Sequence, residues 1–349
     1  MIDLFDKNLL VYNTGFDDEL DILKVPCEKI SVYGICKNAR NAFARMPEEI
    51  AENISPGVSD RALRSAGVRI RFKTNSKRLG INVFFSRTVQ FLSQTTLSVK
   101  GFDVYVDGKY FLSFMPASFD VDNYMQVIEL GDNKQKSITI FFPYNAVIEN
   151  MYLAIDKGAD ISKDNGYKIK KPIIFYGSSI THGFCVSRPG NVFSAIISRC
   201  LDADYINLGF SGVCHGEKEM ARYISSIDKS LFVCAYDHNE QSAEELSKRH
   251  LGFYKEFRKF DSKTPILFVS SPNKFFKGEL MIDRMNVVKN TYLYAKKNLD
   301  CNVYFLNGQT LYSDELRFDC SVDAIHPNDM GSYMIAKKMI QKIRKIMKE

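Results

Sequence analysis

Up to about Ile155, apolar positions alternate with polar ones or arrive in short bursts. Val68-Arg69-Ile70-Arg71-Phe72 and Leu79-Gly80-Ile81-Asn82-Val83-Phe84-Phe85 place an apolar side chain at every second residue, the period of a strand with one buried face. Phe102 to Val106, then Asp107-Gly108, then Lys109-Tyr110-Phe111 predicts a hairpin, because Asp-Gly accepts the positive φ angles of a two-residue turn. Ser137 to Phe142 and Glu149 to Ile155 supply further strands. Many short strands with few helical stretches predict an antiparallel β-sandwich of the jelly-roll sort over residues 1–157.

Residues 158–171 show neither period and mix lysine and aspartate with Gly158 and Gly166, as a linker would. From residue 172 to 349 strand and helix alternate. Strands are predicted at Pro172 to Tyr176, Tyr205 to Leu208, Leu231 to Tyr236, Pro265 to Val269 and Asn302 to Leu306. Helical spacing follows each, over Val192 to Cys200, Glu217 to Ile227, Ser242 to Phe260, Ile282 to Leu299 and Met330 to Met347. A parallel strand needs a crossover to return the chain, so this order implies a five-stranded parallel sheet between two helical layers, an α/β domain. Ligands of such sheets bind beyond the carboxyl ends of the strands.

A chain of 349 residues is long enough for these two domains, and 45% hydrophobic with 25% charged residues is the balance of a folded globular protein. The net charge of +6 is dispersed, which gives no reason to expect nucleic acid, and the basic run Lys337 to Lys348 has the spacing of an exposed face on the last helix. Met1 to Asp6 lacks the pattern of a signal peptide, and no apolar run approaches the roughly 20 residues that span a bilayer. Cys27, Cys36, Cys185, Cys200, Cys214, Cys234, Cys301 and Cys320 are scattered without a C-x-x-C pair, as reduced thiols are. A soluble cytoplasmic protein without a membrane partner is expected, and its oligomeric state is left open.

Chemistry-bearing residues gather at the predicted strand ends. Gly177-Ser178-Ser179-Ile180-Thr181-His182-Gly183 follows the first strand of the α/β part, where a serine would stand beside free backbone N–H groups. Asn207-Leu208-Gly209-Phe210-Ser211-Gly212 ends the second strand and Tyr236-Asp237-His238-Asn239 the third. Each alone is only a turn. Before the last helix, Asp323-Ala324-Ile325-His326-Pro327-Asn328 sets an aspartate and a histidine three residues apart, a spacing that lets the carboxylate fix the imidazole tautomer and leave the other nitrogen as a base. The coincidence of four such segments at one sheet edge points to a single cleft.

The order Gly-x-Ser, a Ser-Gly turn, an asparagine and D-x-x-H-P resembles the GDSL/SGNH hydrolase superfamily over nearly all of the C-terminal part. Tyr176 to Gly183, Ser187-Arg188-Pro189-Gly190-Asn191, Asn207 to Gly212 and, upstream, Ser65-Ala66-Gly67-Val68-Arg69 look like the branch with a jelly-roll domain ahead of a flavodoxin-like SGNH hydrolase domain. That resemblance implies Ser179 as nucleophile, His326 as general base and acid, Asp323 as its orienting partner, and an oxyanion hole made by the Ser179 and Gly212 N–H groups and the Asn239 amide. It implies no cofactor and no metal. The chain departs from the pattern at Ser178, where the family name has aspartate, and at Asp237-His238-Asn239, where a Gly-x-Asn-Asp would stand. The expected activity is hydrolysis of small acyl esters, acetyl above all, on a saccharide. The alternatives are an acyltransferase using the same acyl-enzyme and a non-catalytic carbohydrate-binding protein.

Overall fold

The computed structural model describes residues 15–36, 39–272, 278–313 and 315–348; the segment Met1 to Asp6 lies outside them. The N-terminal part is a β-sandwich. One sheet has the order β1-β9-β4-β7, with β1 Leu20–Val25, β4 Arg78–Thr88, β7 Asn123–Glu129 and β9 Ala146–Asp156. The other runs β10-β3-β8-β5-β6, with β2 Ser31–Tyr33 also paired to β3 Arg69–Thr74; its remaining strands are β5 Phe102–Val106, β6 Lys109–Phe114, β8 Lys136–Phe141 and β10 Ile161–Lys163. The alternating residues read from the sequence face each other between the sheets: Ile70, Phe72, Leu79, Ile81, Val83, Val104, Ile138 and Leu153 share one buried core. Asp107 and Gly108 both take positive φ, 49° and 78°, and Val106 pairs with Lys109 across them, as the hairpin reading requires.

The C-terminal sheet is parallel with the order β12-β11-β13-β14-β15, formed by β11 Ile169–Gly177, β12 Ala203–Gly209, β13 Leu231–Ala235, β14 Ile266–Val269 and β15 Val303–Leu306. Its strands are apolar on both faces, which is why they read as unbroken hydrophobic runs. In β11, Ile173 and Phe175 enter the core shared with helices α5 (Phe193–Leu201) and α9 (Asp329–Met347). Ile174 and Tyr176 enter the opposite core, shared with α6 (Lys218–Ser226), α7 (Ala243–Phe260) and α8 (Gly278–Lys297). All five strands and all five long helices of the sequence reading are present.

Two short helices, α1 (Glu48–Ile54) and α2 (Pro56–Ala62), were not legible as such, and they explain how the two parts meet. Met46, Ala51, Val58 and Ala62 complete the second C-terminal core, while Ala66, Tyr105, Phe141 and Tyr144 complete the first. Residues 158–171 are held at both ends: β10 pairs with β3, and the Ile169 N–H donates to Asp202 O at 3.0 Å. Arg69 pairs with Asp204 and donates to Tyr205 O at 3.0 Å.

Arg45 is a buried cation whose partners are carbonyls. It donates to Arg64 O (2.8 Å), Arg61 O (2.5 Å), Asn207 O (2.6 Å) and Gly209 O (3.0 Å), so it ties α2 to the carboxyl end of β12. Burial, with the Arg64 charge nearby, pulls its guanidinium down to about 9, still protonated at neutral pH. Arg45→Met removes a donor from each of these carbonyls; Arg61 O keeps the Arg64 N–H at 3.2 Å, and a buried carbonyl left with no donor costs about 1–3 kcal/mol. A loss of at least about 3 kcal/mol is expected from urea unfolding, and a midpoint equal to that of the parent protein would contradict this account.

Candidate active site

Strand β11 ends at Gly177, and the chain turns at once into the single-turn helix α4 (Ser179–His182). Ser178 is its N-cap: the hydroxyl accepts from the Ile180 N–H at 3.3 Å and the residue is 1% exposed. Ser179 is the first helical residue, so its N–H has no acceptor within the helix. Its Oγ lies 2.8 Å from His326 Nε2. His326 Nδ1 lies 2.6 Å from Asp323 Oδ2, and Asp323 Oδ1 accepts the backbone N–H groups of His326 (2.7 Å) and Ile325 (3.1 Å). Asn328 then caps α9 by accepting from the Gly331 N–H at 3.0 Å, so the same segment serves both as cap and as carrier of the histidine. Partial burial pushes the Asp323 carboxyl up, but the hydrogen bonds from His326 outweigh it and hold the group below the usual carboxylate range. It is therefore ionised at neutral pH.

The β12 loop lies against α4 because Gly209 has no side chain; a Cβ there would stand 2.2 Å from the His182 backbone nitrogen. Gly212 takes φ +75°, and its N–H has no acceptor among the described residues. Asn239 Nδ2 donates to Phe210 O at 3.2 Å, joining the loops after β12 and β13, and the amide retains a second N–H. Asp237 anchors that second loop to the end of β14 by accepting from Ser271 N (2.9 Å) and Oγ (2.8 Å). Ser179 at the start of α4 and Gly212, Asn239, Asp323 and His326 in loops thus all follow the carboxyl ends of strands of the one sheet. His182 is structural: its Nε2 meets Tyr144 O at 2.6 Å, and burial keeps its pKa well below the ordinary value, so it is neutral.

The N-terminal part reaches the site through a loop whose residues no sequence pattern singled out. The loop between β4 and α3 (Thr96–Lys100) carries Phe91, whose ring lies 5.1 Å from that of Phe184, and Phe184 lies 4.6 Å from the His326 ring. Thr95 Oγ1 donates to Ser187 O at 2.6 Å and Cys185 Sγ to Ser93 Oγ at 3.3 Å, fixing the loop on the motif after α4. No periodicity marks this loop, since it pairs with residues some 90 positions away. Cys185, Asp323 and His326 offer donor atoms that all lie within 4.8 Å of one another, a grouping no sequence spacing revealed. In this arrangement the Asp323 and His326 atoms are engaged with each other and with Ser179.

The arrangement can take a proton from Ser179 through an imidazole held by a carboxylate, beside unengaged N–H donors. The GDSL-like lipase/acylhydrolase family matches residues 170–344, and the N-terminal region of SGNH-hydrolase-type esterases matches residues 21–161. A Bacteroides ovatus protein described as a GDSL-like lipase is similar at 27% identity and TM-score 0.83, over 94% of this chain and 98% of that one. The salicylyl-acyltransferase SsfX3 of a tetracycline biosynthetic pathway shares the fold at 20% identity and TM-score 0.80, over 95% and 98%. A family two carbohydrate esterase from Clostridium thermocellum, solved with cellohexaose, does so at 13% and 0.60, over 80% and 92%. No curated protein matches the chain significantly. With the family match spanning half the chain and the β-sandwich matched ahead of it, this chain belongs to the GDSL-like lipase/acylhydrolase family and is a serine ester hydrolase of the SGNH type.

Proposed function

We propose that Ser179, His326 and Asp323 form the catalytic triad of an esterase that removes small acyl groups, acetyl above all, from a saccharide. The observation that carries this is the unbroken chain from Ser179 Oγ to His326 Nε2 and from His326 Nδ1 to Asp323. His326 takes the hydroxyl proton as Ser179 attacks the ester carbonyl, and returns it to the departing alcohol. The Ser179 and Gly212 N–H groups and the Asn239 amide receive the oxyanion. Water activated by His326 then releases the acyl group.

Because the histidine protonates the leaving oxygen, the alcohol half of the ester lies on its side of the site, where Phe184 and Phe91 stand. An aromatic wall there suits the apolar face of a sugar ring, in keeping with the carbohydrate esterases among the structural neighbours. The same wall would also seat an acceptor alcohol, which keeps an acyltransferase as the second reading, and product analysis with and without added alcohol separates the two. The test of substrate is a panel of acetylated sugars against ethyl acetate, with Phe91→Ala beside the parent enzyme. We expect KM for the sugar esters to rise about 3- to 10-fold and turnover of ethyl acetate to stay unchanged. Equal effects on both would remove the sugar from the wall. Among the described residues no helix is long and apolar enough to cross a membrane. The eight cysteines are free thiols, which supports a reducing, cytoplasmic setting.

A further inference from the structure

The oxyanion loop is gripped from outside the hydrolase part. Arg61, on α2, donates through Nε to Ser211 O at 2.5 Å and through Nη1 to Gly57 O at 3.0 Å, while its own carbonyl is held by Arg45. Gly57 on the same helix faces Val213, where a Cβ would lie 2.7 Å from Val213 Cγ1, so α2 is seated against the loop on both sides of Gly212. Ser211 C=O and Gly212 N–H belong to one trans peptide unit, and in a planar trans unit the two bonds point in opposite directions. A guanidinium that holds the oxygen therefore also fixes where the hydrogen points, away from α2. Gly212 has no Cβ and takes φ +75°, so its own backbone restrains that peptide less than any other residue would, and the orientation must come from a partner.

From this geometry we propose that Arg61 is a positioning residue for ester hydrolysis: by holding the Ser211 carbonyl it aims the Gly212 N–H at the oxyanion. The proposal rests on the role assigned above to Gly212. Arg61 does not touch substrate; it acts through one peptide plane. An oxyanion donor matters more in the transition state than in the bound ester, so the loss falls on kcat rather than KM. It also makes the N-terminal part a participant in the chemistry of small esters, although all five proposed site residues lie in the C-terminal part.

The test is Arg61→Ala on a small aryl acetate, with the competent enzyme counted by fluorophosphonate titration so that misfolded protein is excluded. We expect kcat per competent site to fall about 10- to 100-fold, with KM within about 3-fold, and added methylguanidinium to restore a measurable part of kcat. Arg61→Lys should keep an intermediate activity, since an ammonium can reach one acceptor but cannot bridge two in a fork. An unchanged kcat per competent site overturns the proposal, and so does a fall that neither lysine nor methylguanidinium relieves. A crystal structure of Arg61→Ala gives a reading independent of activity: the Ser211–Gly212 peptide should turn or lose its single orientation, and an unmoved peptide overturns the proposal. If instead Ser179→Ala retains full activity, the triad assignment fails, and this crystallographic arm still decides what Arg61 holds.

Discussion

Ser179→Ala is expected to lower kcat for aryl acetates by about 10⁴-fold or more, while Ser178→Ala keeps most of the parent activity. The two serines are neighbours in sequence with opposite surroundings. The Ser178 hydroxyl is buried and spent on capping the Ile180 N–H, whereas the Ser179 hydroxyl meets the only nitrogen of His326 that Asp323 leaves free. Removing Ser178 Oγ forfeits a helix cap, a stability cost of about 1 kcal/mol, and leaves the proton path intact. On the proposed triad, removing Ser179 Oγ takes away the attacking atom, and the remaining groups can only bind the ester and stabilise the attack of water. Steady-state rates of both variants, with fluorophosphonate labelling mapped by mass spectrometry, decide it. A dead Ser178→Ala and an active Ser179→Ala would move the nucleophile one residue upstream.

A chain beginning at Ile169 is expected to be insoluble or unfolded and to hydrolyse no ester, large or small. Tyr105, Phe141 and Tyr144 fill the core beneath α5 and α9, and Met46, Val58 and Ala62 fill the core on the opposite face of the sheet, so truncation exposes both. Each large apolar side chain lost is worth about 1.5–3 kcal/mol, against a total stability of about 5–15 kcal/mol for a domain. Truncation also removes Arg45 from Asn207 O and Gly209 O, and Arg61 from Ser211 O, which leaves the loop carrying Gly212 unsupported. All five proposed site residues lie downstream of Ile169, but the contacts of Arg45 and Arg61 make the loop that carries Gly212 depend on the upstream part. Solubility, near-UV circular dichroism and aryl acetate turnover of the fragment are the measurements, and a folded fragment with full turnover would refute the dependence.

Periodicity alone determined both fold classes, because strand and helix burial have different periods and the parallel strands, buried on both faces, form unbroken apolar runs. That Ser179, Asp323 and His326 come together was legible for a related reason: ligand sites of an open parallel sheet collect at strand ends, and Asp323 and His326 interact across a separation of three residues. The resemblance favoured Ser179 over its neighbour Ser178, and the tertiary structure supplies the physical difference: one hydroxyl caps the Ile180 N–H and the other meets His326 Nε2. The partners supplied from far upstream were not legible. Arg45 and Arg61 look like ordinary surface cations in sequence, and Phe91 like a stray apolar residue in a loop. Only tertiary structure brings them to backbone carbonyls and a ring on the hydrolase part, because a hydrogen bond to a main-chain carbonyl does not depend on the side chain of the residue that accepts it, and so leaves no pattern to read.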